Sequence, residues 1–274
     1  HTSTFLTTSY KTASLYSIHD TTPSLLSEIS LSPPFEKGTL CDDSSSALFY
    51  GNSNGISIYD VASGSFSLCR KLHSDPKVKF DNIQWSKQGH CISAITSDAS
   101  LMLFDDRIFK PTSSVLKGVS SVCRSDDNTN LFVGFNDGTV HLFDLRKNDV
   151  SYSYSSDFGK VTSLCQVSGR DCFVGHDSGF ISLFQGQSSQ HSNSFGNFTT
   201  PISDLTFDHS TSSLLACSEE SFKASKIMNM NTFGWRHLST SLVVPSHVRF
   251  SKILPNTGKF LLGSGDSIFI YTSQ

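Results

Sequence analysis

The sequence carries little charge, no long apolar run and no paired-cysteine motif, and each shortage removes a class of protein. Only 16% of its 274 residues are charged, with a formal balance of -3. Lys and Arg are scattered, and the densest groupings, Arg70-Lys71 and Arg146-Lys147, are too short to track a phosphate backbone, so nucleic acid is not expected as a partner. Nothing approaches the roughly 18 continuous apolar residues of a membrane span, and the N-terminus lacks the form of a signal sequence, so no membrane partner is expected either. The seven cysteines are odd in number and include no C-x-x-C pair, which argues against a disulfide framework, a zinc site or any metal. Reduced thiols point to the nucleus or the cytoplasm. Cys91, Cys123, Cys165, Cys172 and Cys217 lie in or beside apolar runs, where a free cysteine acts as a small hydrophobe. A long helix rich in Glu, Lys, Leu and Ala is also missing, which excludes an all-α fold. The chain has no initiator Met, and the expectation is that further residues precede His1.

Catalytic constellations are missing as well. There is no G-x-S-x-G elbow and no G-x-x-x-x-G-K-[ST] phosphate loop, so no catalytic residue and no cofactor is assigned, and the chain is not expected to be an enzyme. His176, between Gly175 and Asp177, reads as a turn residue bonding its own loop. His141 reads as a solvated strand residue. The acidic pairs Asp42-Asp43, Asp105-Asp106 and Glu219-Glu220 are adjacent in sequence; on strands they would face opposite ways and could not share a ligand. Asn197-Phe198-Thr199 is a formal glycosylation sequon, which reduced cysteines make coincidental.

What the chain does have is abundant Ser and Thr, 18 Gly and 22 Phe, the composition of short half-buried strands joined by turns. It also repeats itself. Leu131 to Arg146 reads LFVGFNDGTVHLFDLR: an apolar strand, a turn at Asn136-Asp137-Gly138, and an alternating strand ending in Phe143-Asp144, the pattern of a β-hairpin. Ile92 to Arg107 superposes on it without a gap, placing Asp105 on Asp144 and Arg107 on Arg146. Cys172 to Gln185 matches again, with Gly175 and Gly179 in the places of Gly134 and Gly138. Weaker copies run from Phe5 to Asp20, Leu48 to Asp60, Ser213 to Met228 and Phe260 to Thr272. Seven hairpins recur with a period of about 42 residues, the spacing of four-stranded propeller blades. Val78 to Trp85, Val161 to Val167, Ile202 to Phe207 and Ser246 to Phe250 read as innermost strands. Ser65 to Leu72 and Ser151 to Ser155 read as outermost ones.

The spacing and the Gly-x-x-x-Gly-x-x-x-x-aromatic-Asp pattern resemble the WD-repeat (WD40) β-propeller family across essentially the whole chain. The resemblance implies an all-β, seven-bladed propeller of four-stranded antiparallel blades, one domain over residues 1–274. No Trp-Asp dipeptide occurs, with Tyr59-Asp60, Phe104-Asp105 and Phe143-Asp144 standing in. The Gly-His dipeptide ahead of the inner strand is missing too, so the family's buried relay of His, Ser/Thr, Asp and Trp is incomplete, and blade 6 is the most degenerate. Blades 1 and 7 are incomplete, lacking an inner and an outer strand respectively; upstream residues or a partner chain would supply them.

Binding on such a scaffold belongs to its loops and edges. Asp105-x-Arg107 and Asp144-x-Arg146 hold equivalent places in consecutive blades and would share a rim. They resemble the boxes by which propeller substrate receptors dock on the adaptor of cullin-4 ubiquitin ligases, a use that suits the planar fork of arginine. Trp235 and Arg236, within Phe233 to His237, are the second candidate, since Trp and Arg are enriched at interface hot spots; the other reading packs Trp235 between blades. Trp85 is expected in the core. The Ser-rich stretch from Gln185 to Ser194 is expected to be a mobile loop open to phosphorylation. The function expected is a non-catalytic scaffold with protein partners, for instance a subunit of a nuclear-pore, coat or methyltransferase complex. A ligase receptor is the alternative, and a hydrolase or tRNA-modification subunit a third reading.

Overall fold

The structure, a computed structural model, describes residues 3–8, 12–19, 22–31, 35–41, 43–51, 55–72, 75, 77–111, 116–185, 193–196, 198–220, 225–237, 247–254, 259–264 and 267–272. Among them there is no helix. The strands form seven antiparallel sheets, each laid down in chain order. Sheet one is β1 (Ser3–Thr8), β2 (Thr12–His19) and β3 (Thr22–Ser30). Sheet two is β4 (Phe35–Leu40), β5 (Ser46–Gly51), β6 (Gly55–Asp60) and β7 (Ser65–Lys71). Sheet three is β8 (Phe80–Ser86), β9 (Cys91–Thr96) and β10 (Ser100–Asp105), with two short pieces, β11 (Lys110–Pro111) and β12 (Leu116–Lys117), sharing the place of a fourth strand. Sheet four is β13 (Val119–Arg124), β14 (Asn130–Phe135), β15 (Thr139–Asp144) and β16 (Asp149–Ser155). Sheet five is β17 (Val161–Ser168), β18 (Asp171–His176), β19 (Phe180–Gln185) and β20 (Asn193–Gly196). Sheet six is β21 (Ile202–Asp208), β22 (Ser213–Ser218), β23 (Ser225–Asn229) and β24 (Gly234–His237), and sheet seven is β25 (Val248–Leu254), β26 (Lys259–Ser264) and β27 (Ser267–Thr272). All seven expected hairpins are present as the β1–β2, β5–β6, β9–β10, β14–β15, β18–β19, β22–β23 and β26–β27 pairs. Among the described residues, sheets one and seven hold three strands each, as the repeat count led one to expect. Of the Ser-rich stretch, 186–192 lie outside the described residues, while Asn193 and Ser194 belong to β20 and not to a loop.

The chain forms two compact units, His1–Val119 and Ser120–Gln274. In the first, one core cluster joins Ala13 and Ile29 of sheet one to Ala47 and Phe49 of sheet two, and another joins Leu48 and Ile56 of sheet two to Phe80, Ile83 and Trp85 of sheet three. In the second unit, three clusters join sheets four to five, five to six and six to seven, around Phe132 and Phe184, Phe173 and Leu205, and Leu215 and Val248. Sheets two, five and six, each shared between two of these clusters, therefore have their second and third strands covered on both faces. β5 and β22 are buried at every position and β10 at all but the last, which is why they read as continuous apolar runs. Trp85 is buried as expected, and its indole Nε1 donates to Asp106 Oδ2 at 3.0 Å.

The glycines of the repeat do two different jobs. A Cβ on Gly134 would lie 2.4 Å from Val161 of the following sheet, and one on Gly175 would lie 2.7 Å from Ile202, so the first glycine lets the next sheet's opening strand approach. Gly138 and Gly179 turn the hairpins at φ +87 and +82, a left-handed conformation that costs other residues free energy. Ala99 takes the same place in sheet three at φ 60.

Two sets of β-bulges, which hydrophobic alternation does not reveal, also recur. The register slips one residue near the start of five first strands, between Phe35/Lys37, Phe80/Asn82, Val161/Ser163, Ile202/Asp204 and Val248/Phe250. It slips again against fourth-place strands β3, β7 and β16. Bulges raise the local twist and blunt an exposed edge against pairing.

Sheets six and seven are joined through polar side chains of β21. Ser203 Oγ donates to Val248 O, Thr206 Oγ1 donates to Ser251 O at 3.1 Å, and Asp204 Oδ2 accepts from Ser251 N at 2.5 Å and Oγ at 3.2 Å. Desolvation pushes the Asp204 carboxyl up to about 6, against the opposing pull of these bonds.

Two outcomes are expected. Gly179→Ala, whose Cβ would lie 2.3 Å from Phe198 O at φ +82, should cost more than about 2 kcal/mol in denaturant unfolding, whereas Gly169→Ala, at φ +49 with nothing within 4 Å, should cost about 1 kcal/mol. Asp204 has a folded pKa near 6 and an unfolded value of about 3.9, so folding takes up a proton between them. Its contribution is complete below about pH 4 and lost as pH rises through 6. The parent should therefore gain up to about 2–3 kcal/mol relative to Asp204→Asn on acidification from pH 7 to 4; parallel pH profiles of unfolding free energy would contradict this.

Candidate functional site

The Asp-x-Arg pairs sit where the third strand leaves its sheet. Asp105 closes β10, and its Oδ1 accepts from the backbone N–H of Arg107 at 2.9 Å and from Arg107 Nε at 2.9 Å, while Oδ2 pairs with the Nη2 group. The Arg107 guanidinium and backbone N–H hold this carboxyl well below the usual range. Asp144 closes β15 in the same way, accepting from the N–H groups of Arg146 and Lys147 at 2.9 and 3.2 Å, with Arg146 Nε 3.7 Å away. Asp60 and Asn229 cap the corresponding turns of sheets two and six through Ser63 N at 2.7 Å and Asn231 N at 2.9 Å. The recurrent acid is thus an Asx-turn cap. The arginine is not needed for it, since Ala62 and Asn231 stand two residues after Asp60 and Asn229. Arg107 and Arg146 leave 64% and 73% of their side chains exposed, and exposed pairs of this kind contribute little stability. Asp105 and Arg107 lie in the first unit and Asp144 and Arg146 in the second.

The second candidate, Trp235 with Arg236, is built on β24. Trp235 pairs with Met228 across the sheet and packs at the margin of the core between sheets five and six. Its ring meets Phe195 and Phe198 edge-on at 6.4 and 6.2 Å. It is therefore a wedge between sheets, while Phe233, 44% exposed, carries the aromatic surface outward and stacks on Phe195 at 5.7 Å. Lys226 Nζ lies 4.3 Å over the Phe198 ring, and Arg236 is exposed on the same strand as Trp235. The result is an aromatic strip with Lys226 beside it, made by the outer strands of sheets five and six, whereas Arg236 pairs with Ile227 and lies on the face of β24 turned toward sheet seven. A second aromatic pair, partly buried Phe158 stacked on exposed Phe180 at 4.7 Å, lies over Gly196 of β20, whose Cβ would lie 2.7 Å from the Phe180 ring. Phe158, Phe180 and Phe195 were not singled out from the sequence, and Phe233 entered only as the start of the stretch around Trp235. Each stands in a Ser-, Gly- or Asn-rich context, and only the pairing of β19 with β20 and the packing of Trp235 bring them together.

The histidines differ from their sequence reading. His176 is fully buried. Its Nε2 is 2.9 Å from Ser182 Oγ and 3.5 Å from Ser156 Oγ, and its Nδ1 is 3.3 Å from Gly159 O. This His-Ser pairing has the composition of a catalytic dyad, but Ser182 has no exposed surface, so it ties strands and turns together instead of meeting a substrate. His141 is not solvated: it is partly buried, packs at 4.6 Å against Phe135, and desolvation lowers its pKa. Among the acids, Glu220 Oε1 accepts from Thr199 N and Oγ1 at 2.7 and 3.1 Å, whereas Asp106 takes the Trp85 indole and pairs with His90 at 3.1 Å. Asp42 and Asn197 lie outside the described residues. Six described cysteines are free. Burial pushes the Cys123 thiol up to about 11 and the Cys217 thiol up to about 12, the behaviour of packing groups and not of nucleophiles. Among the described residues, no group of three His, Cys, Asp or Glu is placed to hold a metal ion.

No family model and no curated protein matches the chain. Its fold is widespread, with 1807 solved chains matching, so the fold alone does not select a partner. One of them, a chain in the crystal structure of a mitotic checkpoint complex, superposes with a TM-score of 0.81 over 98% of this chain and 83% of its own length, at 14% identity. That likeness shows the fold, a seven-bladed β-propeller of the kind WD repeats build.

The different positions of the two aromatic residues on β24 and its turn should separate in a stability measurement. Trp235→Ala, which empties the wedge, should lower unfolding free energy by about 2–4 kcal/mol, and Phe233→Ala by under about 1 kcal/mol; equal losses would show that Trp235 does not pack as described.

Proposed function

We propose that the protein is a propeller scaffold that holds a protein partner on the aromatic strip of β20 and β24, as a non-catalytic subunit of a multiprotein assembly in the nucleus or cytoplasm. The observation that carries this reading is the clustering of Phe195, Phe233 and Trp235 at an outer edge, with Lys226 beside them. Large apolar side chains beside a cation are the chemistry of interface hot spots, because they shed much hydration while the cation chooses the partner's charge. The similarity to a chain within a mitotic checkpoint complex supports a role in protein assembly without naming the assembly. Nuclear-pore, coat and methyltransferase complexes all fit a rigid scaffold of this kind.

A second reading is favoured by Arg107 and Arg146, which repeat at equivalent turns, stay largely exposed, and are dispensable to the turns themselves. It makes the chain a substrate receptor docking on the adaptor of a cullin-4-type ligase.

Affinity purification from native cells with quantitative mass spectrometry should compare the parent with Phe233→Ala/Lys226→Ala and with Arg107→Ala/Arg146→Ala. The scaffold reading expects one stoichiometric partner to fall at least tenfold with the first double variant and to persist with the second. A ligase adaptor lost only from the second would establish the receptor reading, and a partner set unchanged in both would refute the two surfaces alike.

A further inference from the structure

We propose that Arg124 anchors a binding site for a small oxyanion, phosphate or carboxylate, in the second unit. Arg124 is the last residue of β13. It is partly buried as a residue, but its Nε, Nη1 and Nη2 atoms are all closed to solvent and none has a hydrogen-bond partner. A guanidinium carries five N–H donors and a fixed positive charge at any pH a protein tolerates. Leaving such a group enclosed and unpaired is among the most expensive arrangements in a folded chain.

The neighbouring acids do not relieve it. Asp126 and Asp127 open the turn that follows, yet Asp126 Oδ2 faces His209 Nε2 at 3.9 Å and Asp127 takes Ser125 Oγ, Thr129 N and Thr129 Oγ1 at 2.5–3.0 Å. The equivalent residues of other first strands carry no charge. Leu40, Trp85, Gln166, Phe207 and Ile253 each pair with the second residue of the strand that follows. Arg124 holds that place in β13, just ahead of Ser125, whose N–H donates to Asn130 O at 3.0 Å as Cys41 N–H does to Ser46 O. Where the equivalent side chain is polar, it is satisfied within the chain: Trp85 Nε1 donates to Asp106, and Gln166 accepts from Asp126 N at 2.7 Å and donates to Gly169 O at 3.1 Å. The propeller therefore does not need a cation here. The planar fork of arginine presents two parallel N–H groups to two oxygens of one anion, which is how it binds carboxylate and phosphate, and enclosure strengthens each such bond.

Thermal unfolding of the purified chain should be measured in chloride, inorganic phosphate and acetate at constant ionic strength, for the parent, Arg124→Gln and Arg124→Met. Gln restores the side chain that sheet five uses at this place, and Met keeps the length of the stem without charge. The parent is expected to rise by about 3–5 °C at ten times the half-saturating anion concentration, with saturation, while both variants lack the saturable part and are at least as stable as the parent in chloride. A rise with phosphate alone identifies a tetrahedral ion as the ligand, and one with acetate alone a carboxylate. No saturable rise in either, or the same rise in the variants, overturns the proposal. Should one variant fail to fold, the other carries the comparison.

Discussion

Everything in this chain depends on how closely one sheet can approach the next. A sheet of short strands cannot shield both faces by itself, so each second and third strand is buried only because a neighbouring sheet lies against it. The contact that sets the distance is between the fifth residue of a second strand and the first residue of the next sheet. Gly134 meets Val161 and Gly175 meets Ile202 at separations that would exclude a methyl group. At the corresponding place in sheet six, Cys217 packs on Val248, and its thiol acts as a small apolar group. The same demand for close packing explains why the thiols at these contacts are enclosed and unreactive, and why the middles of second strands such as β5, β14 and β22 are apolar.

A second layer of organisation is polar. Acids and amides at strand ends cap their own turns, as at Asp60, Asp105, Asp127, Asp144, Asp208 and Asn229. These bonds satisfy backbone N–H groups that turns leave outside the ladders. The caps engage the acids locally, and the arginines two residues beyond them are left largely exposed and are not needed by the turns. The surfaces proposed for binding are those the turns and packed faces do not use: exposed arginines, the aromatic strip on the outer strands of sheets five and six, and Arg124.

The repeat made much of this legible in advance. Seven hairpins, the turn glycines and the buried Trp85 follow from spacing and residue type, because a tight turn at φ near +85 admits few residues but glycine and because alternation marks a half-buried strand. Other features were not legible. The bulges shift register by one residue without changing composition, so hydrophobic pattern does not show them. His176 looks like a loop histidine until Ser182 and Ser156 are seen across the turn. His141 occupies an outward position in the alternation, yet Phe135 covers it. Trp235 read either as an anchor or as packed between blades; the rings of Phe195 and Phe198 show the packed wedge and leave Phe233 as the exposed partner.

The sequence by itself determined the class of architecture, since a period of about 42 residues with paired strands and turn glycines admits few solutions besides stacked blades. It also determined the chemistry of each turn, since an Asx cap is a local interaction between residues two or three apart. The tertiary structure alone decided which side chains lose their water. Burial of His176 beside Ser156 and enclosure of the Asp204 carboxyl beside Ser251 arise from residues distant in sequence, and the sealed guanidinium of Arg124 is likewise not visible in its own stretch of chain. The free energy of a polar group depends on those neighbours far more than on its own identity.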